Sequence, residues 1–352
     1  MSARRVIIRG ESLRAAIAGS LVARACSGLN LEVHIEFLPL QMRTEAGEGE
    51  TFVLRPDVHR FHGELGLDAA TLHSLPHAAP CFAVTAGSSS GEASLPFANF
   101  GQARAGIEFH QLWTRASGAG LQPDLLKFSP SIALQNAAEP MDLRKAYKLS
   151  LPFGLTLPTA HYADLLMALA KQAGAFVHDG LGKQVTDADL IIDCSPTDAA
   201  NGWSANRLAI AEISGVPGLE WQYLYQNSKR AVSLGIGSLE CDAARSEFNR
   251  LTKEEVERIA DFHELLKRDD LQETTRPALK RKIDVFEACG RIPMEDYEVA
   301  QPCEWLAALW ARGLRPRRCD RRAEALSLAE LRQFLDTLRE QVNAIESGAS
   351  LR

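Results

Sequence analysis

Gly10, Ser12 and Ala15 occupy the three fixed positions of a G-x-G-x-x-G spacing in the stretch RVIIRGESLRAAIAGSLVARA, residues 5–25. In a dinucleotide fold the first glycine makes a tight turn and the second lets the backbone approach a pyrophosphate. The third lets helix and strand pack closely. Gly10 keeps the turn, Ser12 adds a Cβ and a hydroxyl where close approach is needed, and Ala15 is a mild change. Leu13 and Arg14 complete the loop. Arg14 brings a positive charge that favours an anion, whereas Glu11 puts a negative one beside the phosphate position. Glu36, 26 residues after Gly10, is placed to accept a ribose hydroxyl. These residues are candidates for an ADP-type pocket. The same pattern also suits a βαβ start whose loop holds nothing.

Such a loop needs a strand that ends at its glycine and a helix that begins just beyond it. Val6–Arg9 reads as a buried strand, Leu13–Cys26 as a helix and Leu31–Leu38 as a second strand, a βαβ start that predicts a parallel sheet. Gly87–Gly91 (GSSSG) reads as a flexible loop. Thr159–Gly174 has helical spacing and ends at a glycine. A strand at Ala175–His178, a turn at Asp179–Gly180 and an apolar strand at Leu190–Asp193 follow. Thr252 with Glu255 reads as a capping box opening a charged helix to about Lys267. Ser327 with Glu330 reads as another, before Leu331, Leu335, Leu338, Val342 and Ile345. The last hundred residues are thus expected to be mainly helical.

Composition narrows the class. With 352 residues, 46% hydrophobic, 24% charged and a net charge of −6, the chain fits a soluble globular protein and no nucleic-acid binder. The basic cluster Arg315–Arg322 (RPRRCDRR) is short and reads as a solvated loop. No apolar run reaches the roughly 18–20 residues that span a membrane. Arg4 and Arg5 precede only Val6–Ile8, too short for a signal peptide. The seven cysteines are odd in number and scattered, with no C-x-x-C. That argues against a disulfide framework and a zinc site and for a reducing cytoplasm.

Several stretches, in order, resemble the flavin-dependent tryptophan halogenase family: GETFVLRP at Gly49–Pro56, Phe109–His110, the helix from Thr159 to its glycine, IDCS at Ile192–Ser195, GLEWQYL at Gly218–Leu224 and CEWLAALWARGLRPRRCD. In that family a G-E-[AS]-T segment, an I-D-C-S-G strand, a W-x-W-x-I-P motif and a W…G-x-G-x-x-P stretch stand in these places. The resemblance implies an α/β fold of the FAD-binding, Rossmann-like, glutathione-reductase type. Residues 1–240 would form the flavin-fold region with interleaved substrate segments, and 241–352 a mainly helical part. It implies FAD as cofactor and an indole-type aromatic as substrate. It adds Ser195 to the cofactor residues Gly10, Ser12, Leu13, Arg14, Ala15 and Glu36, and marks His110, Trp221 and Trp305 for the substrate. In the family, flavin hydroperoxide and halide give hypohalous acid, which a lysine guides to the indole.

The chain departs from that pattern where chemistry is done. It has no lysine before Lys127, although the family's lysine follows the G-E-[AS]-T segment. Leu219, Trp221, Tyr223 and Leu224 stand in W-x-W-x-I-P, keeping one of its four fixed residues. Pro196 replaces the glycine after IDCS, and the flavin-contacting G-D motif has no match between Gly237 and Phe248. The expectation is an FAD site that is weak or lost, no catalytic residue to assign and no lysine-dependent halogenation. The alternative is a non-catalytic homologue that binds a small ligand, a full-length halogenase partner or a second copy of itself. Packing roles are open for the same residues: Trp221, Trp305 and Trp310 as core or interface aromatics, His110 as a hydrogen-bonded structural histidine, Cys194 as a buried inert thiol.

Overall fold

The computed structural model describes residues 4–37, 50–121, 124–178, 187–195, 201–213, 215–237 and 241–346. Contacts group the chain into two compact units: Met1–Ala79, Leu155–Ser214 and Gly218–Glu257 in the first, and Pro80–Gly154, Gly215–Pro217 and Arg258–Arg352 in the second. The second unit therefore takes residues from both sides of position 240.

The first unit is built on a six-stranded sheet in the order Gly202–Ser204, Arg207–Ala209, Leu190–Asp193, Arg4–Gly10, Leu31–Phe37, Phe176–His178. The first two strands form a short antiparallel hairpin, and every other neighbouring pair is parallel. Val6 lies opposite Val33 and Leu190, and Ile8 opposite Ile35 and Ile192. Val6, Ile7 and Ile8 are all fully buried, as expected of a parallel strand covered on both faces. The helix Ser12–Cys26 follows immediately and packs against the helices Thr159–Gln172 and Leu219–Arg230. A Cβ on Gly19 would lie 2.5 Å from Ile35 Cδ1. The close approach of helix to sheet is therefore made at Gly19, one turn beyond Ala15.

One expected helix start is overturned. Residues Asp242–Lys267 form one continuous helix, so Thr252 and Glu255 lie in its interior and cap nothing. Both are buried. Thr252 Oγ1 donates to Asn227 Oδ1 at 2.8 Å, and Glu255 Oε2 accepts from Asn227 Nδ2 at 3.1 Å and from Arg230 Nη1. Residues three apart are neighbours on one helix face, so the spacing of a capping box is also that of a lateral contact.

In the second unit Gly87–Gly91 is the closing end of an antiparallel hairpin, Ala83–Ser88 with Gly91–Pro96, and not a free loop. Ser89 N–H donates to Leu266 O at 2.9 Å and Ser90 Oγ to Ala311 O at 3.0 Å, which pins it. The Ser327 capping box forms: Ser327 N–H donates to Glu330 Oε2 at 3.1 Å and Glu330 N–H to Ser327 Oγ at 3.3 Å. The helix Leu328–Glu346 buries the expected stripe from Leu331 to Ile345. Gly101 combines φ +49° with a virtual Cβ 2.3 Å from the buried Phe109 ring. Gly101→Ala is expected to cost about 3 kcal/mol in urea unfolding, the sum of left-handed strain and overpacking. A loss under about 1 kcal/mol would mean that the ring moves aside.

Among the described residues no two of the seven cysteines form a disulfide. Among the described residues no helix is long and apolar enough to cross a membrane, and no group of His, Cys, Asp or Glu could hold a metal ion.

Candidate functional site

Ligands of open α/β sheets bind at the C-terminal ends of the strands, here the edge where Gly10, Phe37 and Asp193 end their strands. Gly10 is required by room. A Cβ there would lie 3.1 Å from Cys194 Cβ on the neighbouring strand's end and 3.4 Å from Ala15 N, while its backbone stays outside the left-handed region. Ser12 is exposed at the first residue of the helix, and Leu13 and Ala15 are buried. Glu11 precedes the helix without capping it through its side chain.

Arg14, Glu36 and Asp193 at this edge are all engaged by other groups of the protein. Arg14 is 4% exposed. Its Nε donates to Cys194 O at 2.7 Å and its Nη2 to Ile210 O at 2.9 Å, tying together the ends of two strands. Glu36 is 5% exposed and lies directly across the strand pair from Arg9, whose Nε donates to its Oε2 at 2.7 Å. Ser195 donates its N–H to Asp193 Oδ1 at 3.0 Å and its hydroxyl to the same oxygen. Asp193 Oδ2 in turn accepts from Arg207 Nη2 at 2.6 Å. Burial pushes the Asp193 carboxyl up, but the Ser195 donors and the Arg207 guanidinium hold it below its ordinary value. Burial pushes the Cys194 thiol up to about 12, so it is inert as a nucleophile near neutral pH.

The six loop and ribose candidates and Ser195 thus share one edge of one sheet, and Trp221 belongs to the same unit. It meets Phe52 edge-on at 5.2 Å between ring centres. With Arg55, Phe61 and Tyr225 it lines a void of about 20 Å³, room for one water at most. Pro196, Leu38 and the Asp179–Gly180 turn lie outside the described residues.

His110 and Trp305 belong to the second unit. His110 Nε2–H donates to Gly290 O at 2.7 Å. Burial lowers the imidazole pKa, and nearby Glu108 offsets part of that. Trp305 is 0% exposed; its indole N–H donates to Glu298 Oε2 at 2.5 Å. Lys282 Nζ sits 4.3 Å from the centre of its ring and donates to Glu298 Oε1 at 3.0 Å and to Pro293 O at 2.5 Å. This lysine, 0% exposed, is absent from any motif. A signal for it exists all the same: Leu279, Lys282, Ile283 and Phe286 form the buried stripe of the helix Pro277–Cys289.

Solved structures share this architecture. The flavin-dependent halogenase BrvH from Brevundimonas sp. BAL3 aligns with a TM-score of 0.79 at 18% identity, over 98% of this chain and 97% of that one. Xcc4156, a flavin-dependent halogenase from Xanthomonas campestris, gives 0.77 at 15%, over 99% and 96%. The tryptophan 6-halogenase SttH from Streptomyces toxytricini gives 0.74 at 12%, over 98% of both chains. The fold is therefore that of the flavin-dependent halogenases. The sequence matches the tryptophan halogenase family over residues 5–199 and 233–327, more than half of the chain, and the protein belongs to that family. Trp221 and its GLEWQYL stretch fall in the interval between the two matched segments. No curated protein matches the chain.

Proposed function

We propose that this halogenase-family protein holds FAD weakly or not at all and performs no lysine-dependent halogenation. The observation that carries this is the internal pairing at the sheet edge. Arg14 spends its donors on two backbone carbonyls, Glu36 is held by Arg9, and Ser195 is turned onto Asp193. The pyrophosphate of FAD needs close backbone approach where Ser12 carries a Cβ, and its ribose needs a carboxylate open to the ligand where Glu36 is 5% exposed, so the residues present do not fit the cofactor in the manner of a G-x-G-x-x-G site. The absence of lysine before Lys127 supports the loss of halogenation. Lys282 offers no substitute, because Glu298 and Pro293 occupy its ammonium in a site with no solvent exposure. The protein would then act as a binding homologue of the family, taking a small aromatic ligand.

Titration with FAD, followed by quenching of flavin fluorescence, is expected to give a Kd above about 100 µM, a binding free energy weaker than about 5.5 kcal/mol. A yellow purified protein, or a Kd below that value, overturns the reading. The double substitution Glu11→Gly with Ser12→Gly removes the repelled charge and the excess Cβ. It is expected to strengthen FAD binding by no more than about tenfold, because Arg14 and Glu36 stay engaged.

A further inference from the structure

The second unit carries a cleft of about 940 Å³ lined by neither the Trp305 cluster nor His110. It falls within the roughly 300–1,000 Å³ of small-molecule sites. Its walls come from the helix Phe109–Gly118, from Asp124, and from the end of the helix Pro302–Ala311 and the chain after it. Trp113 and Trp310 meet edge-to-face on one wall, 4.3 Å between ring centres and 89° between planes. The Arg315 guanidinium carbon lies 3.0 Å from the Trp310 ring centre, a separation that only a face-on arrangement allows. Arg315 Nη1 also donates to the carbonyls of Trp310 and Leu314, both at 2.8 Å, which fixes the plane of the group. Arg315 is exposed and lines the cleft, so this locked planar cation is a platform on which an aromatic ring can stack.

The charged groups that line the cleft are mostly cationic. Arg115 and Ser117 line the cleft, and Arg115 Nε and Ser117 Oγ are buried atoms without a hydrogen-bond partner among the described residues. Arg317 and Arg318 add charge, so four guanidiniums face two carboxylates, Asp124 and Glu324, in a protein of net charge −6. The local field favours an anion against the sign of the whole chain.

We propose that this cleft binds a planar aromatic anion, its ring stacked on Arg315 and its carboxylate or phosphate held by the guanidiniums of Arg115, Arg317 and Arg318. The inference is independent of the flavin reading, since every lining residue belongs to the second unit and the flavin loop to the first. The probes are naphthyl phosphate, naphthoate, uncharged naphthalenemethanol and inorganic phosphate, read by tryptophan quenching in the intact protein. At least one aryl anion is expected to bind about tenfold or more tightly than both naphthalenemethanol and inorganic phosphate. Whether naphthyl phosphate or naphthoate binds better tells phosphate from carboxylate recognition. The bound aryl anion is expected to slow alkylation of Cys319, which lines the cleft, and to leave the exposed Cys241 untouched. Arg315→Lys keeps the charge but removes the planar platform, and it is expected to weaken the aryl anion by about tenfold while leaving inorganic phosphate unchanged. Equal binding of charged and neutral probes, an unaltered Arg315→Lys, or no protection of Cys319 would each overturn the proposal.

Discussion

Arg14→Met is expected to lower the unfolding free energy by about 3 kcal/mol and to leave the response to FAD unchanged. The two halves of that result separate a structural arginine from a phosphate ligand. Methionine keeps much of the apolar stem, so packing is largely retained. What goes is the pair of hydrogen bonds to Cys194 O and Ile210 O, at 2.7 and 2.9 Å. Each buried carbonyl left without a donor costs about 1–3 kcal/mol, and relief of the buried charge returns part of it. Arg14→Lys is expected to recover less than half of the loss, because a single ammonium cannot reproduce a fork spread over two strand ends. Urea unfolding and FAD titration of the same samples check both halves. If Arg14 were held ready for a pyrophosphate, the methionine variant would unfold like the parent and lose FAD affinity instead.

The opening of the fold was legible because its pattern is local. Val6–Ile8, the helix after Gly10 and the strand from Leu31 carry the apolar runs of a βαβ unit, and they pair as a parallel sheet. The stripe Leu331, Leu335, Leu338, Val342 and Ile345 was legible for the same reason, since one helix buries one face. Thr252 and Glu255 misled because spacing alone does not separate a cap from a lateral pair. Their partner, Asn227, lies 25 residues from Thr252 in the chain. Glu36 shows the same limit at the site. Its distance along the chain from Gly10 suits a ribose contact, but strand register sets Arg9 opposite it, and register is not written in any one strand. Gly19 took the close-packing role that spacing gives to position 15, because the contact depends on where Ile35 points. Trp113 with Trp310 and Arg115 with Arg315 lie some two hundred positions apart and become neighbours only once the chain is folded.

Lys282→Met is expected to be the more damaging change, about 4 kcal/mol near neutral pH, with a deficit that shrinks in acid. Lys282 is 0% exposed, and it is the cation nearest the Glu298 carboxylate, whose side chain is 6% exposed. Its removal leaves a buried negative charge supported by the Trp305 N–H and by more distant Arg258. Burial already pushes the Glu298 carboxyl above its ordinary value, and Lys282 is the strongest group pulling it back. Without Lys282 the folded-state pKa rises further above the unfolded value of about 4.3. Asp261, itself raised by burial and also lowered by Lys282, moves the same way. The native variant then binds more protons than the unfolded chain throughout the interval between those values, so its stability falls as pH rises through it. The parent has the same sign over a narrower interval. The gap between the two proteins should therefore be smaller at about pH 5 than at about pH 8 in urea unfolding. Adding Glu298→Gln removes the charge and keeps an acceptor for the indole. The double variant should return to within about 1.5 kcal/mol of the parent, because losing a whole buried pair costs far less than losing half of it. A deficit that ignores pH, or a double variant no better than the single one, would show that Lys282 contributes through packing alone.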